Sequence, residues 1–294
     1  MTHSRWSLQD KVVLITGGAR GIGAAVAEEL AARGVVLVLA DVDEVGLATT
    51  ASALSGSVMT IALDVSDYPA CEAAVATVLA RHGRLDIVWA NAGIGAGGPV
   101  ELVEPPVWTR VIEVNLLGSY NIVRAALAAV IAARGYVALT ASLASFAHPP
   151  GMSAYAASKA GLEAFANSLR IEVAHQGVAV GAIHPTWIAT DMVRDADEQS
   201  PTFRRLRRAM TPPFARTYPV ESIVAPVADA FEARARRVFL PGFVRLAHVL
   251  RPLLNTRPAE RNYAKAAPDM RRLFAEQATR EGARKAAMGS RWSG

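Results

Sequence analysis

Through the first 240 residues, short apolar runs alternate with longer stretches in which apolar side chains recur every three or four positions. The runs at 12–15, 35–40, 58–63, 85–90, 136–140, 178–183 and 238–240 are nearly continuous in Val, Leu, Ile and Ala. Continuous runs of that length predict strands of a parallel sheet, covered on both faces. Helical patterns at 22–33, 68–82 and 106–134 fall between them. Repeated strand–helix–strand units connect through right-handed crossovers. The expectation is therefore an α/β fold, an open doubly wound parallel sheet of about seven strands with helices on both faces. No linker or repeat interrupts the pattern before about residue 240. Residues 1–242 are expected to form a single domain, and 243–294 a helical extension of it.

Composition narrows this only slightly. A hydrophobic content of 52% over 294 residues is ample for a large core, and 19% charged residues argues against disorder. Cys71 is the sole cysteine, which excludes an intramolecular disulfide and a Cys-based zinc cluster. It reads as a small buried apolar residue, and no metal site is expected. Residues 1–11 lack the apolar stretch of a signal peptide. The longest uncharged stretch, 135–158, contains Pro149-Pro150-Gly151, which a membrane-spanning helix would not accommodate. A cytoplasmic protein is the expectation. Charge changes the picture more: residues 1–193 hold 11 Lys/Arg and 16 Asp/Glu, whereas 194–294 hold 20 and 10. A basic C-terminal third suits nucleic acid or anionic lipid. No aromatic–basic motif accompanies it, so nucleic acid is not expected and a solvated arginine-rich surface is the simpler reading.

The first strand runs into Thr16-Gly17-Gly18-Ala19-Arg20-Gly21-Ile22-Gly23, and a helix follows at once. In that context the glycine spacing fits the dinucleotide turn of a Rossmann-like sheet. Gly17 permits the tight turn, Gly21 lets the backbone approach a pyrophosphate, and Gly23 lets helix and strand pack closely. The helix N-terminus then faces the phosphate charge. Asp41 closes the second strand, where a carboxylate accepts both adenosine ribose hydroxyls and repels a 2′-phosphate; NAD is expected ahead of NADP. Arg20 complicates this, because a basic residue in the turn can neutralise such a phosphate. Asp64-Val65 follows the third strand. Asp64 either hydrogen-bonds the adenine edge or caps the next helix, with Ser66 and Asp67 competing for the cap. Asn91-Ala92-Gly93 ends the fourth strand, where small residues let the backbone pass close to a cofactor.

Ser142 ends the fifth strand, and Tyr155 and Lys159 begin the next long helix. Four-residue spacing puts phenol and ammonium on one helical face. A free phenol, with a pKa of about 10, is a poor base at neutral pH. A nearby ammonium and the positive nicotinamide of an oxidised cofactor would stabilise the phenolate and lower that value. Tyr155 can then remove an alcohol proton during hydride loss, or return it in reduction. Ser142 would orient the substrate oxygen, and Lys159 would also hold the nicotinamide ribose.

These motifs resemble the short-chain dehydrogenase/reductase family over about residues 8–242. The resemblance rests on Thr16-Gly17, Gly21-Ile22-Gly23, Asp64, Asn91-Ala92-Gly93, Asn115, Ser142 and Tyr155-Ala156-Ala157-Ser158-Lys159. It implies an NAD(P)-dependent oxidoreductase acting on CH–OH groups, and Asp41 matches the family's NAD-type acidic position. It also adds Asn115 as a fourth catalytic residue, holding a water that links the lysine to a proton relay. From sequence alone a mid-helix Asn is more often a satisfied core group. One departure is His184-Pro185-Thr186-Trp187, where the family usually carries Pro-Gly, so Thr186 replaces the glycine beside the nicotinamide. Pro185 is retained, and Ile188 and Thr190 match positions that bind the carboxamide. Family members associate through two long central helices. The apolar residues spread around 106–134 fit that, so a homodimer or homotetramer is expected, the dimer slightly favoured.

Phe146, His148, Met152, Trp187 and Met192 flank the catalytic candidates in sequence, and by fold analogy border an apolar substrate pocket. Such a pocket suits a lipophilic alcohol or ketone: steroid, terpenoid, retinoid-like or fatty. His148 reads either as a second acid–base group or, beside Pro149-Pro150, as structural. The charged stretch 194–216 suits a mobile lid. Beyond residue 242, Arg245, His248 and Arg251 recur at three-residue intervals, leaving the broad apolar face of a helix that ends near Pro252. That face covers the cleft, packs on a second subunit or rests peripherally on membrane lipid, with protein contact favoured. Residues 259–285 are polar enough to wrap a surface or fray. The leading function is NAD-dependent interconversion of a secondary alcohol and a ketone. The alternatives are an NADP-dependent carbonyl or 3-oxoacyl reductase, and a non-enzymatic nucleotide-sensing or membrane-peripheral protein.

Overall fold

The computed structural model describes residues 6–56 and 58–289; positions 1–5 of the N-terminal segment lie outside the described residues. Seven strands, β1 (Val12–Thr16), β2 (Val36–Asp41), β3 (Met59–Ala62), β4 (Ile87–Ala90), β5 (Tyr136–Thr140), β6 (Ala179–Pro185) and β7 (Arg237–Leu240), form one sheet. Its order is β3-β2-β1-β4-β5-β6-β7, and every pairing is parallel. Every expected strand is present, its ends displaced by at most two residues. The chain direction across the sheet reverses between β1 and β4, the switch point where the carboxyl ends of strands open a crevice.

Burial explains the continuous apolar runs. β1, β4 and β5 are buried along their whole length, whereas edge strand β3 is only half-buried at alternate residues. One face is covered by α3 (Tyr68–His82), α4 (Pro105–Ile112), α5 (Gly118–Ala132) and α6 (Ser153–Val173). The other carries α1 (Gly21–Ala32) and α9 (Glu221–Glu232), where Phe231 meets Trp89 and Tyr136 edge-on at 5.4 and 5.6 Å. Between β2 and β3 lies α2 (Glu44–Ala53). The remote end of the sheet is pinned by Asp86, fully buried, which accepts from Val12 N at 3.0 Å and from Arg84 Nε at 2.8 Å. Cys71 is buried, as expected, and burial pushes its thiol up to about 12.

The helix expected over 106–134 is interrupted. A π-helical turn, Glu113–Leu117, separates α4 from α5. Val111, Val114, Ile122 and Val130 bury inward, while Leu117 is 48% exposed.

The C-terminal extension departs most from expectation. It forms α10 (Phe243–Val249), α11 (Arg251–Leu254), α12 (Arg257–Glu281) and α13 (Ala283–Met288). Helix α10 buries Val244 and Ala247 against Leu143 and Phe146, but leaves Leu246, Val249, Leu250 and Leu253 exposed across α10 and α11. Residues 259–285 do not fray; α12 is a 25-residue helix burying Ala266, Met270, Phe274 and Gln277. Its partner is the stretch expected to be a charged lid, which folds as α7 (Asp191–Gln199) and α8 (Pro201–Ala209). The arginines there are engaged: Arg205 Nε reaches Asp269 at 3.0 Å, Arg204 donates to the Asp197 and Glu198 carbonyls, and Arg207 lies 4.9 Å over the Trp187 ring. Finally α13 turns back to the carboxyl ends of the strands, where Gly97 N donates to Ala287 O at 2.9 Å.

Candidate active site

The glycine turn is built by close approach. Gly17 and Gly21 have φ of +68° and +59°, a region only glycine enters without strain. A Cβ at Gly23 would lie 2.1 Å from Gly17 O. Gly23 therefore sits where β1 and α1 pack, as expected, and does not line the cleft. Helix α1 has no side-chain cap and no acid in its first turn, so its N-terminal amides remain for an anion. Asn91 fixes this turn from β4: its Nδ2 donates to Thr16 O at 3.1 Å and Gly17 O at 3.2 Å. Its Oδ1 accepts from Thr140 Oγ1 at 3.0 Å, tying in β5.

Around the turn lies a cleft of about 1170 Å³. Of the sequence-predicted cofactor residues, Gly17, Arg20, Gly21, Ile22, Asp41, Asp64, Val65, Asn91, Ala92, Gly93, Tyr155, Lys159, Pro185, Ile188 and Thr190 all border it. Two carry different duties from those expected. Asp64 does not cap α3, a role taken by Asp67, and its part-exposed carboxylate is already paired at the edge of the cleft. It accepts from Ser66 N and Oγ and from Arg110 Nη2 at 2.8 Å, and these bonds hold its pKa below the usual range against the opposing effect of burial. Arg20 turns its guanidinium onto Asp43 in an ion pair at the mouth of the cleft. The cradle fits a dinucleotide: a Cβ would fill it at the glycines, and a strand-end carboxylate, Asp41, faces the cleft.

A second, smaller cavity of about 170 Å³ adjoins the cleft. Leu143, Met152, Trp187, Phe203 and Phe214 form its apolar wall, and the tail supplies Tyr263, Gln277 and Met288. Tyr155 borders both spaces. Ser142 borders the smaller one and hydrogen-bonds the phenol. Packing around the phenol raises its pKa, and the Ser142 bond opposes that rise. Lys159 Nζ sits 5.6 Å from the centre of the Tyr155 ring and donates to Thr140 O at 2.7 Å. Burial lowers its pKa to about 8. In the protein alone desolvation outweighs the Ser142 bond; the expected lowering belongs to the site with an oxidised cofactor bound.

Residues 11–201 match the family model for short chain dehydrogenase. The chain belongs to the short-chain dehydrogenase family. It is 33% identical over 189 residues to a 3-oxoacyl-[acyl-carrier-protein] reductase of Salmonella typhimurium, covering 64% of this chain and 78% of the relative. Levodione reductase superposes with a TM-score of 0.74 at 32% identity, over 82% of this chain and 99% of its own. A short-chain dehydrogenase/reductase from Burkholderia phymatum, crystallised with NAD, reaches 0.74 at 27%, over 85% and 97%. This short-chain dehydrogenase is therefore an oxidoreductase of carbonyl and hydroxyl groups that binds a nicotinamide dinucleotide, and the non-enzymatic alternative falls. The family match ends at residue 201, so most of α8 and everything after it lies beyond it.

Asn115 takes a bracing position, and two expectations for substrate-side residues need correction. Asn115, in the π turn, borders neither space; its Oδ1 accepts from Ile94 N at 2.8 Å, and its Nδ2 donates to Ile94 O and Ser158 Oγ. Its side-chain bonds brace the Ile94 loop, the satisfied core position read for a mid-helix Asn. His148 is exposed, with Nε2 3.4 Å from Ser145 O, and Phe146 packs beneath α10. Both point out of the cavity because the short helical turn Leu143–Ser145 rotates the chain after Ser142. Met152, Trp187 and Met192 do line it. The tail residues Tyr263, Gln277 and Met288 were missed: nothing in their local pattern says where a C-terminal helix will dock.

Proposed function

We propose that this short-chain dehydrogenase interconverts a secondary alcohol and a ketone on a lipophilic small molecule, with NAD as cofactor. The observation that carries the reading is Tyr155, whose side chain borders both the dinucleotide cleft and the apolar cavity. A bound nicotinamide supplies or accepts the hydride. Tyr155 gives its proton to the ketone oxygen in reduction or takes it from the alcohol in oxidation, and Ser142 aligns that oxygen. The raised phenol pKa keeps Tyr155 protonated in the free protein, ready as a donor. Lys159, held by the Thr140 carbonyl, keeps a cation beside the ring and offers N–H to a ribose hydroxyl. Asp41 and the Arg20–Asp43 pair support NAD: a carboxylate meets the 2′ position, and the one nearby guanidinium of the turn is already neutralised. The 3-oxoacyl reductase among its relatives keeps an NADP-dependent acyl reductase as the second reading.

Calorimetric titration with NAD⁺ and NADP⁺ separates the two; tighter NADP⁺ binding overturns the cofactor assignment. A screen of NAD⁺ reduction against steroid, terpenoid and long-chain hydroxy compounds identifies the substrate class. Tyr155→Phe is expected to abolish hydride transfer while leaving NAD⁺ affinity within about twofold of wild type, and retained turnover would remove Tyr155 from the acid–base role. A cytoplasmic, homodimeric enzyme completes the reading.

A further inference from the structure

The cavity beside Tyr155 is apolar for most of its lining, yet Thr186 Oγ1, Trp187 Nε1 and Gln277 Oε1 are buried along it without a partner, and of the three residues only Gln277 comes from the C-terminal tail. Gln277 on α12 is 2% exposed and borders the cavity. Its Nε2 donates to Gln199 O at 3.0 Å and lies 3.4 Å from Glu281 Oε2. Exchanging the two amide atoms would set an oxygen against two acceptors, so the bonds fix which atom is which. The other atom, Oε1, is buried with no partner. A buried acceptor left unmet destabilises the site, and a bound donor removes that cost. The residue belongs to the tail, beyond the family match that ends at residue 201.

We propose that Gln277 Oε1 is a specificity-determining acceptor, reading a hydroxyl or N–H donor carried by the substrate at a distance from its reacting carbon. This rests on the oxidoreductase reading above and narrows its substrate class: a largely apolar alcohol or ketone bearing one remote donor. A site that bonds such a group discriminates against the analogue lacking it, because the orphaned acceptor is then buried twice over, without water and without ligand.

The test is a ladder of methyl ketones, from 2-pentanone to 2-decanone, each paired with its terminal-hydroxyl counterpart. NADH oxidation gives kcat/KM for both members, and calorimetry gives their Kd for the NAD⁺ complex, in which ketones do not turn over. At one chain length the hydroxylated ketone is expected to exceed its parent by about tenfold or more in both readouts. Gln277→Met should bring the ratio of hydroxylated to parent ketone to about one in both readouts, whatever it does to the absolute rates. Gln277→Asn, which keeps the amide but retracts it, should move the optimum to a longer ketone. Flat ratios along the ladder, or a gain that survives Gln277→Met, overturn the proposal. Failure of the underlying oxidoreductase reading looks different: neither series oxidises NADH, and the binding ratios alone then decide the role of Gln277.

Discussion

Burial acts on Tyr155 and Lys159 in opposite directions, since it disfavours phenolate and ammonium alike. For Lys159 the consequence for stability can be worked out. Its folded pKa of about 8 lies below the ordinary 10.5, so between those values the unfolded chain binds more protons and stability rises with pH. At pH 7 the full penalty stands, roughly 3 kcal/mol, offset by about 1 kcal/mol from the bond to Thr140 O. Lys159→Met is therefore expected to raise Tm at pH 7 while abolishing turnover, the gain shrinking as pH climbs from 8 towards 10.5. Calorimetric melts across that range check it, and an unchanged or lowered Tm at pH 7 refutes it. His184 obeys the same sign at lower pH. It is fully buried against Phe146 and Phe239, and burial lowers its pKa to about 4. Stability should fall as pH drops from 6.5 towards 4, where the unfolded chain takes a proton that the fold refuses. His184→Phe should flatten that slope in denaturant melts; an unaltered slope assigns it elsewhere. At this scale the sequence is informative where chemistry constrains spacing, as with Gly17, Gly21 and Tyr155. It reads Asn115 as a satisfied core group, though not that the Ile94 loop is its partner, and is misleading at His148, which is near the site in the chain but outside it in space.

Strands are legible because the central runs share one destiny, burial between two helical layers, and a run of Val, Leu and Ile needs no knowledge of its partner to declare it. Helix α12 declares much less. Its buried set, Ala266, Met270, Phe274 and Gln277, is a narrow stripe on an otherwise polar helix, and one member is an amide. Only docking on α8 reveals its purpose. The π turn is equally hidden, since it shifts the period of an apolar pattern that reads as one helix. What holds the tail down is Phe274, fully buried and close enough to Gly98 that a Cβ there would lie 2.5 Å from its ring. Phe274→Ala should cost about 3–5 kcal/mol if the whole fold registers the cavity. Because α13 closes the substrate side through Gly97 and Ala287, the variant should also raise KM for substrate more than it changes NAD⁺ affinity. Steady-state kinetics beside an NAD⁺ titration read both. Equal losses in the two would mean that the tail braces the whole sheet and has no particular hold on the substrate side.

At the scale of the molecule, two apolar faces among the described residues differ in what surrounds them. One joins Leu117 (48% exposed) and Tyr120 (46%) to Ile171 (78%), with Tyr120 edge-on to Phe165 at 6.0 Å, so α5 and α6 present a continuous surface. The other, Leu246, Val249, Leu250 and Leu253, is flanked by the exposed Arg245 and Arg251. Aromatic and aliphatic side chains on two long neighbouring helices suit self-association, where a two-fold axis pairs one patch with its copy. Basic residues beside an exposed aliphatic ridge suit an anionic surface. The two assignments give opposite results for two substitutions. Ile171→Arg places a charge in the α5–α6 patch and is expected to convert a dimer to a monomer in sedimentation equilibrium, with little effect on vesicle binding. Leu250→Glu should leave the dimer intact and reduce co-flotation with phosphatidylserine vesicles. If Leu250→Glu instead dissociates the dimer, the C-terminal ridge is the subunit interface and the peripheral membrane reading is lost. If Ile171→Arg sediments as wild type, the central helices do not pair and the surface they expose serves something other than a second copy of the chain.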